Sequence, residues 1–419
     1  MKNNFEIRVD SEIGRLRGVI LHRPGAEVAN MTPESAQRAL YSDILNPTVA
    51  AEEYGQIEGV LERWTRVFRI KDLFGDILGN PRIRAGLVRR ICEAEGVPDV
   101  AEDLLGMPSA DLASVLIEGV PLVKDNLTRF LSRDRFSLPP LHNFFFTRDS
   151  AVTVGDQVYI SHMANQVRGR ETRIVEAVFD HHPEVGAPTV NPARLEGPDS
   201  GLTIEGGDVL VAAEDILIIG IGARTTPRAV DFLIERFKQQ GRDRHILVQE
   251  LPRSPESFIH LDMVFTLLDR DRCLVFKPVI GQTHRYDTVH IHIRGRQDVK
   301  ITEEDNLPRA LAKLGMDLEP LPCGGASDRW IQEREQWHSG ANFFALAPGK
   351  IIGYGRNTNT LEVLAGAGFA VVTADDVIAG KVDLESAGRC VVTVRGSELA
   401  RGGGGCRCMT MPVGRDPVV

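Results

Sequence analysis

Near its C-terminal end the chain runs Arg401-Gly402-Gly403-Gly404-Gly405-Cys406-Arg407-Cys408-Met409, two thiols at the end of a glycine stretch with arginines on both sides. Glycine lets a backbone pass close to a ligand without a Cβ clash. Neighbouring guanidinium groups favour thiolate, the nucleophilic form, over thiol. Upstream stand four clusters that could serve such a thiol: Phe146-Thr147-Arg148-Asp149, Glu205-Gly206-Gly207-Asp208, His260-Leu261-Asp262 and Trp337-His338-Ser339-Gly340. Cysteine, histidine and several carboxylates together point to covalent chemistry on a cationic substrate.

The elements around these clusters repeat a plan. Residues 151–160 read as two short strands around a Gly-Asp turn, followed by a polar stretch with Arg168 and a helix over 171–179. Residues 209–218 repeat it, with Arg224 and a helix over 227–237; 264–276 and 343–353 are further strand pairs, the latter followed by a helix over 360–367. The strand 16–22 finds a partner in 408–412, giving about five ββαβ units. Each cluster precedes the first strand of a unit, so a ring of units would bring Asp149, Glu205, Asp208, His260, Asp262, His338 and Cys408 to one axis. Between 76 and 135 the periodicity turns helical, as an inserted helical segment requires.

The 419 residues, 42% of them hydrophobic, suffice for a large core and permit more than one domain. A net charge of −9 argues against nucleic acid or an anionic membrane as partner and suits a small cation. Six scattered cysteines make no disulfide framework. The opening Met1-Lys2-Asn3-Asn4-Phe5-Glu6 lacks the apolar segment of a signal peptide, and no apolar run approaches the ~18 residues of a membrane span. A cytoplasmic location with reduced thiols is the expectation.

The ordered clusters resemble the arginine deiminase family, guanidine-modifying enzymes of the pentein (α/β-propeller) superfamily. The resemblance takes in 11–17, 21–25, 143–149, Arg168 with 170–172, 205–208, Arg224, 260–262 and 407–412, nearly the whole chain. It implies an α/β fold, a propeller of five ββαβ units with pseudo-five-fold symmetry, in which 1–75 and 136–419 form the catalytic domain and 76–135 an inserted helical bundle. It further implies that L-arginine is hydrolysed to L-citrulline and ammonia. Cys408 is then the nucleophile, forming a thiouronium intermediate, and His260 the general acid and base. Asp149 and Asp262 hold the guanidinium. Glu205 and Asp208 complete the negative pocket and orient His260, while Arg168, Arg224 and Asn143 match positions that bind the substrate α-carboxylate. No metal or other cofactor is implied, and a homo-oligomer is the expected assembly.

Elementary chemistry supports those roles. A guanidinium is planar and delocalised, so fixed carboxylates must take its N–H donors and place its carbon over sulfur. The same carboxylates raise the thiol pKa unless a cationic substrate or His260 offsets them, which makes thiolate formation substrate-assisted. Taken singly, several residues read more plainly. Cys406-x-Cys408 is half of a zinc motif, but no second Cys/His pair completes it. Cys406 reads as a bystander, and His338 as a capping or packing residue. His260-x-Asp262 on a strand would set both side chains on one face.

Two departures from the family pattern fall at the substrate's amino-acid end. Members often carry a further arginine in the glycine loop, where this chain has Gly403 or a neighbour. The stretch Ala39-Leu40-Tyr41-Ser42-Asp43-Ile44 replaces the commoner Leu-Leu-Phe-Asp-Asp-Ile. Rival readings are an amidinotransferase, an arginine dihydrolase, or a catalytically silent binding protein. Intact Cys408, His260 and both aspartates argue against the last.

Overall fold

Five times an antiparallel strand pair is followed by helix and by a strand that returns parallel to the second member of the pair. The computed structural model describes residues 5–418 except 42, 199 and 284, so Ser42 of the altered segment lies outside the described residues. The pairs are Ala151–Val154 with Gln157–Ile160, Val209–Ala213 with Ile216–Ile221, Phe265–Asp269 with Arg272–Val275, Phe344–Ala347 with Lys350–Tyr354, and Met411–Arg415 with Leu16–Leu21. Their parallel partners are Thr189–Val190, Arg244–Glu250, Glu319–Pro322, Cys390–Val394 and Arg66–Arg69. The last unit joins the two ends of the chain. Its pairing covers Met411–Arg415, not residues 408–412, because Asn342 Oδ1 accepts the N–H groups of Arg407 and Cys408 at 2.9 and 3.2 Å and keeps them out of the ladder.

Strands covered on both faces are apolar nearly throughout, as in Ile216–Ile221. The helices between them start and stop on local signals. Pro47–Trp64 opens with proline in its first turn, and Asn46 Oδ1 accepts from Thr48 and Val49 N–H at 3.1 and 3.2 Å. Pro227–Gln240 ends at Gly241, whose φ of 70° suits glycine.

The helical segment begins at Ile70, earlier than its expected start at 76. Ile70, Leu73, Phe74, Ile77 and Leu78 form one buried stripe at helical spacing, directly after the strand Arg66–Arg69. The helices Pro81–Ala94, Ala101–Leu105 and Ser109–Glu118 follow, and a short strand pair, Val120–Pro121 with Phe136–Leu138, encloses the helix Leu127–Leu131. Phe74, Ile91 and Leu116 share a core with Ile160, Val178 and Met411, so the helices pack on the first and last sheets. Each fully buried Leu or Phe there contributes about 1.5–3 kcal/mol. A second addition, the hairpin Thr288–Arg294 with Asp298–Glu304, interrupts the third unit in sequence yet extends the second sheet by pairing with Arg244–Glu250. No helix among the described residues is long and apolar enough to cross a membrane.

Candidate active site

Three of the first strands are entered through a one-turn 3-10 helix: Thr147–Ser150, Gly206–Asp208 and Leu261–Met263. The strand Met411–Arg415 is entered through the turn that holds Cys408. Glycine lets these turns stack. A Cβ on Gly207 would lie 2.5 Å from His260 Nδ1, and one on Gly206 would strike the carbonyl oxygen of Arg148.

His260 therefore sits at the start of a turn, not on a strand, and the shared face expected for His260 and Asp262 does not form. Asp208 Oδ1 accepts the Leu261 N–H at 2.9 Å, and the His260 carbonyl accepts the Met263 N–H at 3.1 Å. These bonds bend the chain, so the two side chains part. His260 reaches Glu205 Oε2 at 2.9 Å and approaches Asp149 Oδ1 at 3.6 Å. Asp262 reaches Arg407 Nη1 at 2.8 Å and the Cys408 sulfur at 3.7 Å.

Each aspartate is held by a buried arginine through one oxygen. Arg168 donates to Asp149 Oδ2 at 2.6 Å and to Glu171 at 2.8 and 3.0 Å. Arg407 donates to Asp262 Oδ2 at 2.8 Å and to both oxygens of Glu12 at 2.9 and 3.0 Å. The arginines leave the other oxygens untaken: Asp149 Oδ1 has no hydrogen-bond partner among the described residues, and Asp262 Oδ1 meets the Cys408 thiol at 3.9 Å. Two buried Glu-Arg-Asp triads thus each leave one aspartate oxygen outside the arginine's grasp.

The charges follow from this packing. Burial, with Asp262 and Asp149 close by, pushes the Cys408 thiol well above the usual thiol range. The arginines flanking the thiol do not offset this, because Arg407 is committed to Glu12 and Asp262 and Arg401 to Asp43 and Glu398. Burial opposes a charge on His260, yet Asp149, the hydrogen bond to Glu205, and Asp208 together hold its pKa up at about 9. Glu205 is likewise opposed by burial but held down to about 2 by His260 and Arg224. Asp208 is pushed by burial up to about 7. The resting site pairs a neutral thiol with an imidazolium.

A cavity of about 380 Å³ opens onto this layer. Cys408, His260, Asp149, Asn143, Arg168 and Arg224 line it; Glu205, Asp208 and Asp262 stand behind them, each fully buried. Arg224 contacts Glu205 at 3.4 Å with 13% of its side chain exposed, so it is freer than Arg168. Asn143 Nδ2 is bound to the Ala39 carbonyl at 2.7 Å. His338, expected only to cap or pack, ends the helix Arg329–Trp337 and also borders the cavity, within 3.3 Å of Arg356. Cys406 is fully buried and outside the lining. Asp149, Glu205 and His260 each bring one ligand atom within 4.8 Å of the others, as a bound cation would need. Arg168 and Arg224 already balance those carboxylates, which suits the cluster to holding a proton.

Sequence reasoning missed Glu12, Glu171 and Asn342. Asn342 orients the thiol loop from both ends of its amide: Oδ1 takes the two loop N–H groups, while Nδ2 lies 3.2 Å from Cys408 Sγ and 3.1 Å from the Asp262 carbonyl. Its position just ahead of the strand Phe344–Ala347 was the available signal, since the other clusters precede first strands in the same way.

The family model described as arginine deiminase matches residues 123–415. An arginine deiminase of Streptococcus agalactiae serotype V is 32% identical over 438 residues, spanning 99% of this chain and 100% of its own length. One from Bacillus cereus strain B4264 is 34% identical over 434 residues, spanning 98% and 99%. Among solved structures, SxtG, an amidinotransferase from Microseira wollei, matches 99% of both chains with a TM-score of 0.56 at 14% identity. The N-terminal domain of ArgZ, an arginine dihydrolase from cyanobacteria, matches 95% of this chain and 97% of its own with a TM-score of 0.52 at 13% identity. At such identities the structures share the α/β fold of mixed sheets, while the sequence matches carry the family: the chain belongs to the arginine deiminase family.

Proposed function

We propose that the protein hydrolyses L-arginine to L-citrulline and ammonia through a covalent intermediate on Cys408, and that its five sheets close into a pentein propeller around that residue. The observation that carries the reading is the pair of aspartate oxygens that the buried arginines leave untaken, Asp149 Oδ1 and Asp262 Oδ1, beside the buried Cys408 thiol and the His260 ring. A guanidinium bridging the two oxygens brings a positive charge next to sulfur, lowers the thiol pKa and places the carbon for attack. Alignment of this kind removes about 7–11 kcal/mol from a barrier.

With the cationic guanidinium bound, the Cys408 thiol gives its proton to water, and the thiolate adds to the guanidinium carbon, forming the C–S bond. His260 gives its proton to the departing nitrogen, the C–N bond breaks, and ammonia leaves with a thiouronium on Cys408. Neutral His260 then takes a proton from water as the C–O bond forms, the C–S bond breaks, and the hydroxyl proton of the released citrulline passes through water to sulfur, restoring the thiol and the imidazolium. Acid–base help of this kind is worth roughly 10²–10⁴ in rate. Glu205, held at about 2, keeps a full negative charge against Nε2 throughout and fixes the ring. Arg224 receives the α-carboxylate at the cavity wall, beside Arg168 and Asn143, whose donors are engaged by Asp149 and Glu171 and by the Ala39 carbonyl.

Incubating the protein with arginine and weighing the products tests this: citrulline with one ammonia is expected. Ornithine with two ammonia, or transfer of the amidino group to an added amine, would replace hydrolysis with a rival reaction. Cys408→Ala abolishes turnover, whereas Cys406→Ala leaves most of it; a trapped adduct on Cys406 would reverse the assignment.

A further inference from the structure

Three histidines outside the cavity share one face of the extended second sheet. His290 and His292 alternate along the strand Thr288–Arg294, so both point to the same side, and His245 stands opposite His292 in the antiparallel register. The opposite face carries Ile246, Ile291 and Ile293 into the core. His245 Nδ1 and His290 Nε2 face each other at 2.8 Å. The rings of His245 and His292 stack with centroids 4.2 Å apart, and His290 Nδ1 lies 3.9 Å from Glu304 Oε1. The reaction uses none of these groups.

We infer that His245, His290 and His292 form a binding site for one first-row divalent metal ion of the zinc class. Imidazole suits such ions, and three of them leave a fourth position for water. Two nitrogens on a tetrahedral zinc with bonds of 2.0–2.1 Å stand about 3.3–3.4 Å apart. The facing nitrogens of His245 and His290 therefore need to part by only about 0.5 Å for an ion to replace the proton between them. Glu304, whose negative charge lies on the Nδ1 side of His290, favours the tautomer with its proton there, which leaves the Nε2 lone pair aimed at that point. His292 completes the set by turning a nitrogen toward it. In the present arrangement it lies flat on His245 and accepts a hydrogen bond from Arg294 Nε at 3.3 Å, so the three rings do not yet converge.

The surrounding charges favour neutral ligands. Burial, joined by the neighbouring imidazoles, lowers the pKa of His245 and His290, against the opposing pull of Asp215 and Asp243 on the first and Glu304 on the second. Arg294 and Lys313 add positive charge on the same side. A bound ion would pin the hairpin, which belongs in sequence to the third unit, onto the sheet of the second.

Titration with Co²⁺, read by its visible d–d absorption, tests the site on the whole protein. One saturating equivalent per chain with a micromolar or tighter dissociation constant is expected, displaced by Zn²⁺, and His245→Gln, His290→Gln and His292→Gln should each weaken it by at least about tenfold. Cobalt held by Cys408 or by the Asp149, Glu205 and His260 cluster would persist in these variants, so undiminished binding overturns the proposal, as does the absence of saturable binding. Thermal unfolding guards against misfolded variants: zinc should raise the Tm of the parent and not theirs, while metal-free Tm and arginine turnover stay alike. A zinc-dependent rise that survives all three substitutions places the ion elsewhere.

Discussion

The cavity has the same trio of residue types at its floor and at its mouth, an arginine between a glutamate and an aspartate, in opposite surroundings. At the floor, Glu171-Arg168-Asp149 and Glu12-Arg407-Asp262 are buried. At the mouth, Arg401 joins Glu398 at 3.1 Å and also pairs with Asp43, and the Arg401 and Asp43 side chains are 39% and 51% exposed. Water screens the mouth, so its geometry is loosely held and weakly stabilising. The floor has no such relief: each charge there depends on its partner, and the aspartate oxygens are held in place by it. Of the two family departures, Gly403 lies at the mouth, while in 39–44 the lining residues Leu40 and Asp43 keep the family pattern and the changed Ala39 and Tyr41 are buried behind them. Substrate selection can drift at the mouth while the chemistry of the floor stays intact.

The largest effect expected is between substrates. Agmatine has the guanidinium but no α-carboxylate, so it satisfies the floor and leaves Arg224 facing the cavity without its partner. A site built around a polar group typically rejects an analogue lacking it by about 10⁴ or more in kcat/KM. Because Arg168 is spent on Asp149 and Glu171, Arg224→Ala should erase most of that discrimination. Comparable kcat/KM for arginine and agmatine in the parent protein would sink the carboxylate assignment.

Breaking a floor triad comes next. Arg407→Met removes the cation between Glu12 and Asp262 and leaves both carboxylates buried without it, which costs about 3–5 kcal/mol. Urea unfolding reads the loss, and turnover should fall with it because Asp262 is no longer held beside sulfur. Asp149→Ala should lower kcat as well as raise KM, since an unheld guanidinium loses alignment and not merely affinity. A raised KM with unchanged kcat would show uniform binding and contradict the role.

The floor should also show in the pH profile. His260, at about 9 in the folded protein, lies above its unfolded value of about 6.5. Its contribution to stability is therefore complete below about pH 6.5 and is lost as pH rises through 9. Turnover should fall over the same alkaline range, because the leaving nitrogen needs the imidazolium proton. Asp208 helps to hold that proton, so Asp208→Asn should move the alkaline limb to lower pH while the protein stays folded. An unmoved limb would assign it to another group.

The difference between floor and mouth also marks how far the sequence could be read. The repeated strand pairs were legible because apolar ladders bounded by turns are local signals, and the clusters ahead of them follow in order. The stretch Ile259-His260-Leu261-Asp262-Met263 alternates as a strand should, yet long-range bonds bend it: Asp208 takes the Leu261 N–H, and Gln336 Nε2 donates to the Met263 carbonyl at 3.1 Å. Glu12 meets Arg407 across 395 residues. No spacing rule reaches that far, and without it Arg407 reads as an activator of the thiol when it is in fact a clamp on Asp262. The hairpin Thr288–Glu304 alternates clearly, but its sequence does not say which sheet it joins.

The smallest effect belongs to the mouth. Arg401→Ala breaks the exposed pair with Asp43, and such pairs contribute only about 0–1 kcal/mol, and less at high salt; it also frees Glu398, which keeps the Asn46 N–H at 2.5 Å. Stability should therefore move by no more than about 1 kcal/mol, against about 3–5 kcal/mol for Arg407→Met. The residue still borders the cavity, so KM for arginine should change while kcat holds, the signature of a group that meets the substrate away from its reacting carbon. A loss of kcat on the scale of Asp149→Ala would make the mouth part of the chemical machinery, and the division between a rigid floor and a permissive mouth would fail.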